Sequence, residues 1–169
     1  MTVLVIAGRE QPHSLASVWL HWLQPARPRH RLHVMAINIG ENNLAEAAQV
    51  LYPPNSVQEV PATVRATWFR FGPSGLPRVD PAAVALASFR RHDLLADPLP
   101  ASFNLLLRRY LGFTNLVGRQ RQDAVERLRA TLHPGGLLVV ACSESVDATS
   151  HGLETRPPEP GVHVASEAE

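Results

Sequence analysis

Short runs that are apolar at every position recur along this chain, and segments with helical spacing separate them. Two of these runs are Val3–Ala7, which is followed by Gly8, and Leu137–Cys142. Continuous apolar character, rather than alternation, is typical of strands that are buried on both faces. Parallel strands need a crossover, usually a helix. We therefore predict an α/β fold with a mostly parallel sheet and helices on both of its faces.

The same two patterns predict the remaining regular elements. Further strands are expected at Leu32–Ile39, Phe89–Asp93 and Phe103–Leu107, with a last edge strand at Gly161–Ala165. Helices are expected at Ser14–Leu23, Leu44–Leu51, Pro81–Ser88 and Gln120–Leu132.

Residues 52–81 interrupt this alternation. They carry six of the fifteen prolines and two short segments, Thr67–Phe71 and Leu76–Val79, on either side of a turn rich in glycine and proline. That arrangement is typical of a β-hairpin. We predict one domain over 1–169, with a small β-hairpin subdomain inserted at 52–81 and a proline-rich, acidic tail at 154–169 that is only partly ordered.

Composition limits the classes of partner and compartment. A hydrophobic content of 45% with 18% charged residues favours a folded chain. No apolar run reaches the roughly 20 residues that span a bilayer. The net charge of +1 provides no basic stripe for nucleic acid. We therefore expect no membrane or nucleic-acid partner. A single cysteine, Cys142, and the lack of a recognisable signal peptide predict a cytoplasmic protein.

Ligands of open α/β sheets bind beyond the carboxyl ends of the parallel strands. Candidate site residues are therefore expected in the segments that follow the predicted strands: 7–14, 38–41, 92–94, 108–115 and 142–145. Cys142 in the last of these segments has no activating neighbour in sequence, so it is interpreted as a small buried residue rather than a nucleophile. His30 and His33 have no carboxylates at ligand spacing, and no metal site is predicted.

The segment Ala7-Gly8-Arg9-Glu10-Gln11-Pro12-His13-Ser14-Leu15-Ala16 is similar to a Gly-Glu-Glu-Pro-Tyr-Ser-Leu-Ala stretch. That stretch belongs to the CheR family of chemotaxis receptor glutamate methyltransferases, which this chain also resembles in the order of its segments. Further similar blocks follow in the family's order: Met35–Ile39 with Ala-Thr-Asp-Ile, Leu44–Ala47 with Leu-x-x-Ala, His92–Leu95, Phe103–Arg109 with Phe-Asp-x-Ile-x-Cys-Arg, His133–Leu138 with Pro-Gly-Gly-Tyr-Leu, and Ser143–Ser145 with Ser-Glu-Ser.

This resemblance implies a Rossmann-like, class I S-adenosylmethionine-dependent methyltransferase fold that transfers a methyl group to a protein carboxylate. S-adenosylmethionine is the implied cofactor. The hairpin at 67–79 stands where the family has a small β subdomain that docks receptor tails, so a protein substrate or partner is implied there. The blocks cover the family's catalytic domain, without its helical N-terminal domain.

The resemblance also implies roles for individual residues. Gly8 lies in the first cofactor loop, Glu10 binds the ammonium group of the methionine moiety, Asn38 takes the position of the acid that binds the ribose, and Asp93 and Leu94 flank the adenine. Arg109 contributes to the cofactor site. Arg109 and Tyr110 together shape the mouth through which the methyl group passes, and are the implied catalytic positions.

Several positions depart from the family's pattern. They are Arg9 for a loop glycine, Gln11 for a glutamate, Asn38 for an aspartate, Tyr110 for an asparagine and Thr114 for a tyrosine. An eroded cofactor site follows from these changes. Two interpretations remain open beside an active methyltransferase: a catalytically inactive module of the same fold that serves in protein interaction or ligand sensing, and an unrelated doubly wound α/β protein, such as a flavodoxin-like binding module.

Overall fold

A computed structural model describes residues 1–6, 10–58, 60–99, 102–108, 116, 118–140, 152–155 and 161–166. The chain forms two compact units. The first comprises Met1–Ala7 and His92–Glu169, and the second comprises Gly8–Arg91. Several positions on which sequence predictions were made lie outside the described residues: Gly8, Arg9, Arg109, Tyr110, Thr114, Cys142 and Ser143–Ser145.

The strands are β1 (Thr2–Ile6), β2 (His33–Asn38), β3 (Phe69–Phe71), β4 (Pro77–Val79), β5 (Ala87–Arg91), β6 (Phe103–Arg108), β7 (Leu132–Val140), β8 (Leu153–Thr155) and β9 (Val162–Ala165). The helices are α1 (Gln11–Val18), α2 (Gln24–Ala26), α3 (Glu41–Ala48), α4 (Ala62–Trp68), α5 (Pro81–Val84) and α6 (Arg119–Ala130). A π-helical segment, Trp19–Leu23, joins α1 to α2, and Pro54–Val57 forms a 3₁₀ turn.

Strands of the first unit are ordered β1-β6-β7-β9-β8. β1 pairs with β6, and β6 with β7, in parallel, whereas β9 and β8 are antiparallel to their neighbours. Val3, Leu4, Leu106 and Leu138 are fully buried, as continuous apolar strands require. The α/β class is thereby confirmed, and the pairing is parallel through β1, β6 and β7.

The C-terminal part of the first unit differs from expectation. β9 was predicted to be an edge strand, but it lies between β7 and β8, and β8 is the edge. The prediction was wrong because β8 has only three residues, Leu153–Thr155, of which only Leu153 is buried. So short a segment carries no readable period.

β7 begins earlier than its apolar run. Phe103 pairs with Leu132, but the next pair is Leu105 with Leu137, so the two strands shift register between these pairs. The extra residues include Gly135, whose φ is +72°. The turn predicted at 133–136 is therefore a bulge within a strand, which is how an irregular glycine-containing segment is accommodated in a ladder.

In the second unit, β2 and β5 pair in parallel, with Val34 opposite Ala87 and Asn38 opposite Arg91. Asn38 ends β2 and Arg91 ends β5, so the two side chains leave the sheet at the same edge. A separate cluster contains the buried side chains of Tyr52, Val57, Phe69, Val79 and Ala83 together with Ala16 of α1. The proline-rich segment thus packs on the first helix of its own unit.

The predicted hairpin is confirmed, with β3 antiparallel to β4 and Phe69 opposite Val79. Its first strand is shorter than predicted, because α4 continues through Trp68. α4 itself was not predicted. Its seven residues follow Pro61 and bury only Val64 completely, which leaves too weak an apolar stripe to detect.

Helix limits in this unit also differ. α3 begins at Glu41, three residues before the predicted Leu44, because Gly40 serves as its N-cap. α5 is a single turn that ends at Val84, where the prediction extended it to Ser88. β5 consequently begins at Ala87 and ends at Arg91, which leaves His92 and Asp93 in the following loop.

Candidate functional site

A sharp turn follows β2. The Oδ1 atom of Asn38 accepts a hydrogen bond from the backbone N–H of Gly40 at 2.7 Å and a longer one from Nδ2 of Asn43 at 3.4 Å. A Cβ atom at Gly40 would approach these same two side chains, at 3.2 Å and 3.1 Å. The absence of a side chain at Gly40 therefore lets Asn38 close the turn that starts α3.

An open groove lies at this turn. Its volume is about 540 Å³, and it is lined by Ile39, Gly40, Glu41, Asn42, Asn43 and Arg91. Nε of Arg91 lies 3.6 Å from Oε1 of Glu41, and both side chains are largely exposed. The groove thus combines one carboxylate, one guanidinium and several amides at the carboxyl ends of two parallel strands, where ligands of α/β sheets bind.

Glu10 precedes α1 in the second unit. Its backbone oxygen accepts hydrogen bonds from the backbone N–H of Ser14 at 3.0 Å and from the Ser14 hydroxyl at 2.9 Å, so it anchors the first turn. Its side chain is half-buried and accepts a hydrogen bond from the hydroxyl of Ser56 at 3.3 Å. The ammonium-binding role that the family resemblance implies for Glu10 stays a prediction.

A buried polar pair lies behind α1. Nδ1 of His13 and the hydroxyl of Tyr52 are 2.5 Å apart, and the imidazole also packs edge-on against Phe89, with ring centroids 5.2 Å apart. His13 is fully buried. Removal from water penalises the charged imidazolium and lowers the pKa of His13 to about 4, so the ring is neutral at pH 7.

Asp93 and Leu94 belong to the first unit, in a turn that starts two residues after β5. The carboxylate of Asp93 accepts a hydrogen bond from the backbone N–H of Leu95 at 2.9 Å, and the carboxylate of Asp97 accepts one from the N–H of Asp93 at 2.8 Å. Arg127 of α6 stabilises the turn. Its guanidinium donates hydrogen bonds to the backbone oxygens of Leu94 and Leu95 and, at 3.2 Å, to that of Asp97.

The predicted site residues that the structure describes are therefore divided between the two units. Asn38 and Glu10 lie in the second unit, and Asp93 and Leu94 lie in the first. Gly8, Arg109 and Tyr110 lie outside the described residues. Arg108, which precedes Arg109 and ends β6, is described and is only 3% exposed. A buried arginine is uncommon and needs compensating partners.

Three residues of these sites were not singled out from the sequence. Glu41 stood within a segment expected to carry site residues, and an acid directly after a glycine N-cap is a readable signal of a helix start. Arg91 and Arg127 gave no signal, since their positions depend on strand pairing and on the packing of α6.

Residues 6–159 match the sequence profile described as CheR methyltransferase, SAM binding domain. The chain belongs to the CheR methyltransferase family. The resemblance stated from the sequence is confirmed, and S-adenosylmethionine, the SAM of that description, is the cofactor of this CheR-type methyltransferase domain.

Solved structures agree with a class I methyltransferase fold. The glycopeptide N-methyltransferase MtfA complexed with sinefungin is 19% identical, with a TM-score of 0.51 over 98% of this chain and 52% of its own. The N-methyltransferase NodS from Bradyrhizobium japonicum WM9 is 14% identical, with a TM-score of 0.51 over 98% of this chain and 86% of its own. Identities this low show a shared fold alone. The CheR-type chain spans about half the length of MtfA.

The groove fits the adenosine end of the cofactor. Its volume of about 540 Å³ lies within the ~300–1,000 Å³ typical of small-molecule pockets. Its carboxylate and amides suit a neutral, hydroxyl-bearing sugar.

In the part of the chain that is described, no three His, Cys, Asp or Glu side chains are grouped to hold a metal ion. None of the helices described is long and apolar enough to cross a membrane.

Proposed function

We propose that this CheR-type domain transfers the methyl group of S-adenosylmethionine to a carboxylate of a protein substrate. The groove at the ends of β2 and β5 supports this proposal, because it provides a polar site of suitable volume beside Asn38, the position to which the family resemblance assigns the ribose-binding acid. The cofactor, when bound, supplies an electrophilic methyl group on a sulfonium. The chain's own residues would bind the cofactor and orient it toward the substrate.

The transfer is an in-line displacement that depends mainly on position. With the cofactor bound, a carboxylate oxygen of the substrate would attack the methyl carbon as the carbon–sulfur bond breaks, which would form a methyl ester and leave a neutral thioether. A carboxylate is ionised at neutral pH, so no general base is required. The residues of the groove therefore contribute by fixing the adenosine end, which reduces the motion of the reacting centre.

The hairpin in the second unit is the proposed contact for the protein substrate. Phe71, at the end of β3, is 56% exposed. Arg70 and Arg78 are opposite each other in the β3–β4 ladder, and both are exposed. The two exposed cations lie on the face of the hairpin opposite Phe71, and Arg70 also lies 3.4 Å from a carboxylate oxygen of Asp80. A hairpin with exposed cations on one face and an exposed aromatic at its end suits a peptide that carries acidic residues, which is the kind of substrate that carboxylate methylation needs.

The proposal is tested with S-adenosylmethionine that carries a tritiated methyl group and a mixture of acidic peptides. We expect label in the peptides that mild alkali releases as volatile methanol, because esters hydrolyse under those conditions and N-methyl groups do not. Label that resists alkali would overturn the carboxylate assignment. No label, with cofactor bound, would overturn the activity.

The hairpin contact is tested separately with Phe71→Ser. We expect peptide methylation to fall by about fivefold or more, as for loss of an aromatic interface residue, with unchanged affinity for S-adenosylhomocysteine. Leu23→Ser is the matched control, since Leu23 is 44% exposed and ends the π-helical segment Trp19–Leu23 of the same unit. Equal losses in both variants would contradict a specific role for the hairpin.

A second candidate is a catalytically inactive module that serves in protein interaction or ligand sensing. One observation favours it: Oδ1 of Asn38, at the position of the family's ribose-binding acid, is already engaged by the N–H of Gly40 at 2.7 Å. An engaged, uncharged acceptor weakens ribose binding. This candidate predicts peptide binding through the hairpin without label transfer in the same assay.

A further inference from the structure

The amide of Asn38 has little accepting capacity to offer a ligand. An amide oxygen has two lone pairs, and in Asn38 Oδ1 one receives the N–H of Gly40 at 2.7 Å while Nδ2 of Asn43 approaches at 3.4 Å. What remains of the side chain is Nδ2, which only donates. The paired hydroxyls of a ribose are bound best by a charged acceptor with two oxygens, as in dinucleotide-binding folds.

Glu41 supplies such an acceptor three residues further on. Among the described residues that line the groove, it is the one that bears a carboxylate. It opens α3 next to the N-cap Gly40, where the helix dipole favours a negative charge. Its side chain is 83% exposed, so the carboxylate is accessible to a ligand.

Arg91 lies beside that carboxylate in the groove lining. Its Nε lies 3.6 Å from Oε1 of Glu41, and Arg91 itself is fixed in register opposite Asn38 at the ends of the paired strands β5 and β2. The contact is monodentate, which leaves Oε2 of Glu41 for a ligand. Asn38 therefore shapes the turn, Arg91 directs the side chain, and Glu41 offers the oxygens.

We propose that Glu41, directed by Arg91, accepts the ribose hydroxyls of the cofactor in this chain, in the role that the family's strand-end acid would otherwise fill at Asn38. The proposal rests on the proposed function only in taking the groove as the adenosine site. Glu41 is then a binding residue that selects ribose over deoxyribose, and Arg91 is a positioning residue.

The test is a binding cycle with S-adenosylhomocysteine and its 2′-deoxy and 3′-deoxy analogues, measured calorimetrically on the full chain. Glu41→Gln is expected to weaken S-adenosylhomocysteine by about tenfold, the loss of a charge-assisted hydrogen bond, and to abolish most of the discrimination against at least one deoxy analogue. Glu46→Gln on the same helix is the matched control and keeps wild-type affinity. Asn38→Asp added to Glu41→Gln restores affinity, because it returns a charged acceptor to the groove.

Three results would overturn the inference. Wild-type affinity in Glu41→Gln would show that the carboxylate does not contact the ligand. Equal weakening toward the ribose and both deoxy ligands would show a structural effect of α3 rather than hydroxyl binding. Either of these leaves the proposed function standing. The absence of S-adenosylhomocysteine binding to the folded wild-type chain would overturn the proposed function and the inference together.

Discussion

At the scale of single residues, His13 couples the stability of the second unit to pH. Burial lowers the pKa of His13 to about 4 in the folded chain, against about 6.5 for an unperturbed histidine. Between these values the unfolded chain binds a proton that the folded chain does not. The free energy of unfolding therefore falls as the pH drops from 6.5 toward 4, by up to about 1.4 kcal/mol per pH unit.

Urea denaturation at pH 7.5, 6.0 and 5.0 measures this effect. His13→Gln removes the titrating group, so its free energy of unfolding should vary less over the same range than that of the wild type. Equal slopes for wild type and variant would contradict the assignment. The other titrating groups are common to both proteins and cancel in the comparison.

Tyr52 holds the neutral ring of His13 through the 2.5 Å contact with Nδ1. Tyr52→Phe keeps the aromatic packing but leaves a buried imidazole nitrogen without this partner. We expect the free energy of unfolding to fall by about 1–3 kcal/mol at pH 7.5. Chemical denaturation checks the value, and an unchanged midpoint would show that the contact contributes nothing.

Asn38 is the residue at which sequence and structure agree on position but differ in detail. The strand was predicted to end at Ile39, just before Gly40, and it ends one residue earlier, at Asn38. The engagement of its Oδ1 and the pairing of Arg91 with Glu41 were not readable, because both depend on the close approach of β2 to β5.

Asn38→Asp is expected to tighten S-adenosylhomocysteine by up to about tenfold. The introduced carboxylate would keep one oxygen on the N–H of Gly40 and present a second, charged oxygen to the groove. Calorimetric titration measures the change. Asn42→Asp is the matched control, since it adds the same charge to the groove lining without touching this turn. An equal gain in affinity in both variants would show that the added negative charge, rather than its position at Asn38, causes the effect.

At the scale of elements, the pairing of β7 with β9 depends on Gly161. Its φ is +94°, and a Cβ atom there would lie 2.7 Å from the backbone oxygen of Val140. The N–H of Val140 donates to the oxygen of Gly161 at 2.8 Å, which keeps the two segments at this spacing. Gly161→Ala combines backbone strain with a steric clash, and we expect it to destabilise the chain by about 2–4 kcal/mol.

Gly135→Ala provides the comparison on β7. Gly135 also has a positive φ, +72°, but nothing lies within 4 Å of a Cβ atom built there. Only the backbone strain remains, which amounts to about 1–2 kcal/mol. Thermal unfolding of the two variants measures the difference, and a smaller loss for Gly161→Ala than for Gly135→Ala would contradict the steric account.

The turn at 93–97 is held by an element distant in sequence. Arg127→Met removes the guanidinium that bonds the backbone oxygens of Leu94, Leu95 and Asp97. We expect faster hydrogen exchange at the amides of Leu95 and Asp97, because local opening of the turn becomes easier. Arg129→Met is the control, since the Nε of Arg129 bonds the oxygen of Gly152 instead. Unchanged hydrogen exchange in Arg127→Met would show that Arg127 does not stabilise this turn.

Elements were predictable where burial is continuous. The parallel strands β1 and β2 are buried along most of their length and were found in the correct order, whereas α4 and β8 are short and bury few side chains. The existence of α4 and β8 follows from packing within each unit rather than from local pattern.

At the scale of the whole molecule, the fold follows from the order of these elements and the family from the order of the blocks they carry. Residues 6–159 match the family profile although individual blocks are altered. Fold and cofactor class were therefore predictable, since they rest on many positions at once. The identity of the methyl acceptor and the presence of activity depend on a few side chains. Both therefore require direct measurement.

The most direct test is isothermal titration of the purified, folded chain with S-adenosylhomocysteine, which occupies the cofactor site without turnover. We predict saturable binding in the micromolar range that Glu41→Gln weakens and Glu46→Gln does not. A folded protein that gives no heat of binding at millimolar ligand would contradict the assignment of the groove as a cofactor site.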